Sequence, residues 1–184
     1  MRRNRPITIP RVRVAPGYSG REVGGGIGAI PLELLTGGGA ASALNVELST
    51  TYESVATELL RARGLEGRVT RRIGDFVSEA GTVPPADIVV MNRVVCCYPD
   101  ADRLVGAAAA RARRLLVLTF PVDRWWIRLG LRAANLLLRV RGSTFRAFAH
   151  PTRRVLAAAE RQGLRPSTHH RGLIWQLVAF ERAG

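Results

Sequence analysis

The stretch Glu22-Val23-Gly24-Gly25-Gly26-Ile27-Gly28-Ala29-Ile30-Pro31 constrains the fold of this chain more than any other. Glycines at 24, 26 and 28 remove side chains where a backbone turns tightly and comes close to something else. Residues 27–35 are good helix formers, and Pro31 is tolerated in a first helical turn, where an amide donor lacks a partner anyway. The spacing predicts a turn feeding a helix whose free N–H groups and positive dipole end address an anionic or carboxylate-bearing ligand. The plain alternative is a glycine-rich surface turn, in a chain with 19 glycines.

Downstream, apolar runs alternate with helical patterns. Strands are predicted at 43–48, 68–73, 87–92 and 115–120, and helices at about 51–63, 101–113, 124–141 and 151–162. Gly37-Gly38-Gly39 stops the first helix, Gly64 the second and Gly163 the last. Such alternation with short links specifies an α/β fold, a doubly wound, mostly parallel sheet with helices on both faces. The final segments, 164–170 and 173–181, have no helix between them and predict an antiparallel C-terminal strand pair.

Residues 1–21 fit this frame poorly. They are rich in arginine, contain three prolines and no acidic residue, and carry no clear period. They are read as an irregular basic N-terminal segment, with one domain spanning 22–184 and a first strand that is short, polar or damaged. A start altered or truncated before the glycine turn is the expectation that follows.

With 184 residues and 47% hydrophobic content, the chain is long and apolar enough for one cored domain. No apolar run reaches membrane-spanning length, and the N-terminus lacks the apolar region of a secretory signal. Two adjacent cysteines, Cys96 and Cys97, make no disulfide framework, which predicts a cytoplasmic location. The net charge is +14, from 28 basic residues that are all arginine and 14 acidic ones. The arginines are scattered without interleaved aromatics, so specific nucleic-acid binding is not expected.

Gly24-x-Gly26-x-x-Ala29 satisfies the dinucleotide-binding fingerprint in its Gly/Ala form. Glu22-x-Gly24-x-Gly26-x-Gly28 resembles the first motif of the class I S-adenosylmethionine-dependent methyltransferases, a Rossmann-like family whose seventh strand is inserted antiparallel. Glu47 follows Gly28 by nineteen residues, at the end of the second strand, where an acidic residue accepts hydrogen bonds from ribose hydroxyls in both families. Gly74-Asp75-Phe76 separates the two. The resemblance implies that Asp75 contacts the adenine amino group and that Phe76 packs on the ring, whereas Asp75 as the cap of a following turn is the structural alternative.

The resemblance further places the loop Asn92-Arg93-Val94-Val95-Cys96-Cys97-Tyr98-Pro99 beside the transferable methyl group. Asn92 and Arg93 are candidates to contact the cofactor or orient a substrate. Asn92 is assigned to the cofactor and Arg93 to the acceptor side, where Tyr98 of this loop and Trp125 of the 124–141 helix are the further candidates. The cysteines read as buried small thiols rather than a metal site. His150, His169 and His170 are the candidate general bases, but none is assigned, and the catalytic residue stays open. On the 124–141 helix, Arg124, Arg128, Arg132, Asn135 and Arg139 share one stripe. The periodicity predicts a helix packed on the sheet with a solvated arginine face; a cover over an apolar acceptor, or a foot on anionic lipid, is the alternative.

The resemblance implies methyl transfer from S-adenosylmethionine to a small-molecule acceptor, with a peripheral membrane contact as a further expectation. Three alternatives stay open: a degenerate non-catalytic fold, a basic membrane- or RNA-associating module, and an NAD(P)-dependent oxidoreductase.

Overall fold

The computed structural model describes residues 17–37 and 40–182. Seven strands form one sheet: β1 (Ser19–Val23), β2 (Ser42–Glu47), β3 (Val69–Ile73), β4 (Ala86–Asn92), β5 (Ala112–Pro121), β6 (Leu164–Arg171) and β7 (Trp175–Arg182). Their spatial order is β3-β2-β1-β4-β5-β7-β6. The first five strands are mutually parallel, and β7 runs antiparallel to both of its neighbours. The helices are α1 (Ala29–Thr36), α2 (Glu53–Ala62), α3 (Phe76–Glu79), α4 (Ala101–Arg111), α5 (Trp125–Val140) and α6 (Thr152–Glu160). Gly38 and Gly39, two of the three glycines expected to stop α1, lie outside the described residues, as do 1–16.

The core sits on β4 and β5, whose continuous apolar runs are buried on both faces, as a central parallel pair requires. Side chains alternate between faces. Val89, Met91, Leu116, Leu118 and Phe120 pack with α4 and α6, while Ile88, Val90, Leu115 and Val117 form a smaller cluster with Ile30 of α1. Each fully buried Val or Leu contributes about 1.5–3 kcal/mol of hydrophobic stabilisation. The boundary between α4 and β5 falls earlier than its pattern suggests, at Ala112 rather than near residue 114. Ala112 is fully buried and pairs with Ala86, so it belongs to the start of β5 rather than to a solvated helix end.

β1 corrects the expectation for the front of the domain. Residues 19–21, assigned to the irregular segment, belong to a strand at the middle of the sheet, paired with β2 on one side and β4 on the other. The strand is short and polar but well fastened. The backbone N–H and Oγ of Ser19 both donate to Asp87 Oδ2, at 2.9 and 2.8 Å, and the Asp87 N–H returns a bond to Ser19 Oγ. At its other end, Gly24 N–H donates to the Val46 carbonyl at 2.8 Å. Double-sided pairing supplies what the residues' own hydrophobicity does not.

α5 corrects a second expectation. It is not packed on the sheet, and against the described residues none of its side chains is buried. Ile127, Leu131, Asn135 and Leu138 are half-buried, whereas Trp125, Leu129, Leu136, Leu137 and Val140 face solvent together with the arginines.

Candidate functional site

Strand order reverses between β1 and β4, and open α/β sheets bind ligands beyond the carboxyl ends of strands at such a point. A cleft of about 660 Å³ opens there. It is lined by the residues that leave β1 (Gly24, Gly26), β2 (Glu47 to Ser49), β3 (Gly74 to Phe76) and β4 (Arg93, Val94, Cys97, Tyr98).

The glycine turn is shaped by what surrounds it. Gly24, Gly26 and Gly28 all have positive φ, at 65°, 55° and 81°, a region where side chains are strained. A Cβ on Gly24 would lie 2.2 Å from the Val94 side chain, so the turn and the β4 loop can approach only without it. Gly25 matters as much. A Cβ there would lie 2.0 Å from the Glu22 carboxyl group, which is tucked directly beneath the turn.

Glu22 itself is only 2 % exposed and does not reach the cleft. Burial pushes its carboxyl up to about 8, against the hydrogen bonds from Asn45 and the backbone of Ile30. Asn45 Nδ2 donates to Glu22 Oε2 at 2.9 Å. The amino end of α1 therefore addresses this buried carboxyl group, and neither Gly28 nor the first turn of α1 lines the cleft. That differs from the expectation of free amides aimed at a ligand. The cause is the inward tuck of Glu22, which takes up the Ile30 N–H.

Arg71 on β3 completes the layer under the turn. Its Nη2 donates to the Gly26 carbonyl at 2.9 Å and pairs with Glu53 on α2 at 2.5 Å. Gly28 lies over this arginine and Asn45, its Cβ position 3.3 Å from Arg71 Nη1. From above, Glu47 Oε2 accepts the Gly26 N–H at 2.7 Å, and Oε1 accepts the Ser49 N–H at 3.0 Å. The turn is thus held by β2 and β3 together.

Asp75 caps α3, its Oδ1 accepting the Val77 N–H at 3.1 Å, and Oδ2 accepts from Ser78 Oγ at 2.8 Å and Tyr98 O–H at 3.2 Å. It is a cap and a cleft-lining acid at once. Burial, then the neighbouring Asp75 charge, raises the Tyr98 phenol and keeps it protonated at neutral pH. Phe76 is buried beneath Asp75 and lines the same cleft. Arg93, with φ 60°, is the non-glycine residue of positive φ among those described, and its guanidinium stacks over Trp175 at 4.8 Å. Left-handed backbone in a bulky residue at the cleft edge stores about 1–2 kcal/mol of strain.

Of the residues singled out from the sequence, Gly24, Gly26, Glu47, Asp75, Phe76, Arg93 and Tyr98 are brought together around the cleft. Glu22 and Gly28 lie beneath its floor. Asn92 ends β4 with its buried Oδ1 unpartnered, and it is not among the cleft-lining residues. Trp125 is 70 % exposed on α5 and does not line the cleft either. His150 Nε2 bonds the Tyr98 carbonyl at 2.9 Å and His169 Nε2 the Gln176 side chain at 2.9 Å, so neither reaches the cleft. Tyr52 and Phe145 line it without having been singled out. A Cβ on Gly26 would lie 3.9 Å from the Tyr52 ring, and Phe145 arrives from the segment after α5. No spacing rule flags either.

Among solved structures with this architecture, magnesium protoporphyrin IX methyltransferase from Synechocystis PCC 6803, with bound S-adenosylhomocysteine, is similar over 91% of this chain and 75% of its own, at 19% identity and TM-score 0.70. Geranyl diphosphate C-methyltransferase from Streptomyces coelicolor A3(2) is similar over 93% of this chain and 74% of its own, at 14% identity and TM-score 0.72. The chain has the class I methyltransferase fold. An O-methyltransferase family protein from Burkholderia thailandensis matches 91% of this chain with 51% of its own, at 18% identity and TM-score 0.74. No protein-family model matches the sequence, and no curated protein does. In the methyltransferase fold the antiparallel β7 between β5 and β6 is a defining feature, and here it pairs with β5 over seven residues, Leu115 to Pro121.

Proposed function

We propose that the chain is an S-adenosylmethionine-dependent methyltransferase acting on a small-molecule acceptor. One observation carries this reading. The glycine turn after β1, the acid ending β2 and the Gly-Asp-Phe leaving β3 converge on a single cleft at the switch point of a methyltransferase-fold sheet.

The cleft residues fit the cofactor by their chemistry. Glu47 offers spare carboxylate lone pairs to ribose hydroxyls beyond the two amides it already accepts. Asp75 is an acceptor for an adenine amino group, with Phe76 and Val94 as apolar flanks for the ring. Gly24 and Gly26 admit the methionine portion close to the backbone. When bound, S-adenosylmethionine supplies an electrophilic methyl group. Arg93, Cys97, Tyr98 and Phe145 form the remaining wall, where an acceptor is oriented toward that group. The Tyr98 O–H is bonded to Asp75 and held protonated, so the contribution assigned to this residue is alignment of the acceptor rather than proton abstraction. The two free cysteines support a reducing, cytoplasmic setting for this activity.

Incubating the chain with S-adenosylmethionine and fractionated small-molecule extracts, and searching by mass spectrometry for methylated products, tests this function. A product formed only with the intact chain supports it. Failure to convert the cofactor with any fraction, together with binding of NAD or NADP, would overturn it.

A further inference from the structure

α5 presents a surface that methyl transfer in the cleft does not use. Residues advance about 100° around a helix, so Trp125, Leu129, Leu136 and Val140 fall within about 60° of one another. All four are exposed, Leu136 at 64 % and Val140 at 78 %. Trp126 and Leu137 widen this apolar face on one side. Along its other edge run Arg128, Arg132 and Arg139, within about 40° of one another. The opposite side of the helix is turned to the protein, where Asn135 exchanges two hydrogen bonds with the backbone of Ala147, at 2.8 and 2.9 Å.

We infer that α5 docks the protein on an anionic lipid surface, lying in the plane of the bilayer interface. Residues 124–146 contain six arginines and no acidic residue. Arg128 pairs with Asp123 just ahead of the helix, while Arg124, Arg132, Arg139 and Arg141 make no salt bridge among the described residues. Whatever covers this face therefore carries negative charge as well as an apolar surface. A second copy would set arginine row against arginine row. Residues 1–16, with five arginines and no acid, would do the same. Nucleic acid satisfies the arginines but leaves the Leu and Val face in water. An anionic bilayer satisfies both, with the aromatic Trp125 and Trp126 at the headgroup level. At 16 residues α5 extends about 24 Å, and among the described residues no helix is long and apolar enough to cross a membrane.

The docking face is coupled to the cleft. The segment that Asn135 holds continues to Phe148, whose N–H donates to the Cys96 carbonyl at 2.7 Å, and Phe145 of that segment lines the cleft. Docking therefore sets the cleft beside the lipid surface. A membrane-soluble acceptor is the consequence for substrate class, and this last clause rests on the methyltransferase reading.

The test is co-sedimentation of the full chain with vesicles of phosphatidylcholine alone and of phosphatidylcholine mixed with phosphatidylglycerol, with tryptophan emission recorded in parallel. Expected are at least about tenfold stronger partitioning to the anionic vesicles, a loss of that gain at high salt, and a blue shift of emission. Leu129→Glu/Leu136→Glu should abolish binding, and Arg132→Gln/Arg139→Gln should weaken it about tenfold or more. These side chains are exposed, so both variants should fold and keep the wild-type affinity for S-adenosylhomocysteine, which separates loss of docking from loss of the cleft. Absence of binding to anionic vesicles at low salt would overturn the inference. So would binding that the leucine variant leaves intact, or a dimer that buries the same face in solution.

Discussion

The Oε2 of Glu47 accepts the backbone N–H of Gly26 at 2.7 Å, so the end of β2 holds the tip of the glycine turn across the cleft floor. The same carboxylate lines the cleft, and under the proposed function it would also accept the ribose hydroxyls. Glu47→Ala leaves the Gly26 and Ser49 amides without their acceptor and should cost about 1–3 kcal/mol of stability. It should also weaken S-adenosylhomocysteine binding by about 1.5–3 kcal/mol, the scale of a charge-assisted hydrogen bond. Thermal unfolding and calorimetric titration measure the two losses separately. Unchanged affinity would mean that Glu47 does not hold the ribose.

Glu22 should make stability fall as pH rises. Its folded-state value is raised to about 8 from an ordinary 4.5, chiefly by burial, so the folded chain keeps a proton that the unfolded chain releases between these limits. Protons bound in excess by the folded state make each rise in pH through that window destabilising, with the effect levelling off above it. The total is on the order of a few kcal/mol. Glu22→Gln should flatten this slope relative to wild type. Urea unfolding of both proteins from pH 5 to pH 9 measures it, and identical slopes would contradict the burial account.

Much of the cleft lining is legible in the sequence, because glycine spacing and an acid at a strand end are local signals. Gly24, Gly26, Glu47 and Asp75 could be placed for that reason. Gly25 could not, since its need for a bare Cα comes from a Glu22 carboxyl group folded back beneath it. The buried partnership of Asn45 and Glu22, 23 positions apart, and the reach of Arg71 to Gly26, 45 apart, likewise exist only once β1, β2 and β3 are adjacent. That β1 is short and polar is legible, whereas its start at Ser19, inside the segment read as irregular, is not, for the same kind of reason. Its hold comes from two neighbouring strands and from Asp87, 68 positions away from Ser19. For α5, periodicity places the arginines on one row but counts Asn135 among them, which instead bonds Ala147, and it could not say that most of the apolar residues would meet solvent.

The Ser19–Asp87 bonds predict a specific weakness. The backbone N–H of Ser19, ahead of its hydroxyl, holds the Asp87 carboxyl below the ordinary carboxylate range. Its stabilisation is present above that ordinary range and is lost as pH falls through the folded-state value. Asp87→Ala should cost about 1–3 kcal/mol and loosen β1 first. Hydrogen exchange at residues 19–23 reads this out, and protection unchanged from wild type would refute it.

Cys97 offers a chemical reporter of the cleft. It is exposed there, and the hydrogen bond from the Cys96 thiol lowers it to about 7, while that bond and burial raise Cys96. Iodoacetamide should therefore label Cys97 with an apparent pKa near 7 and spare Cys96. Saturating S-adenosylhomocysteine should slow that labelling several-fold. Equal rates with and without it would place the cofactor elsewhere.

The most direct measurement is calorimetric titration of the purified chain with S-adenosylhomocysteine, and in parallel with NAD and NADP, repeated on Asp75→Ala. The account predicts saturable one-to-one binding of S-adenosylhomocysteine, weakened about tenfold or more by the Asp75 change, and no heat from either nicotinamide cofactor. Binding of NAD or NADP alone, or no binding of S-adenosylhomocysteine to the folded chain, would contradict it.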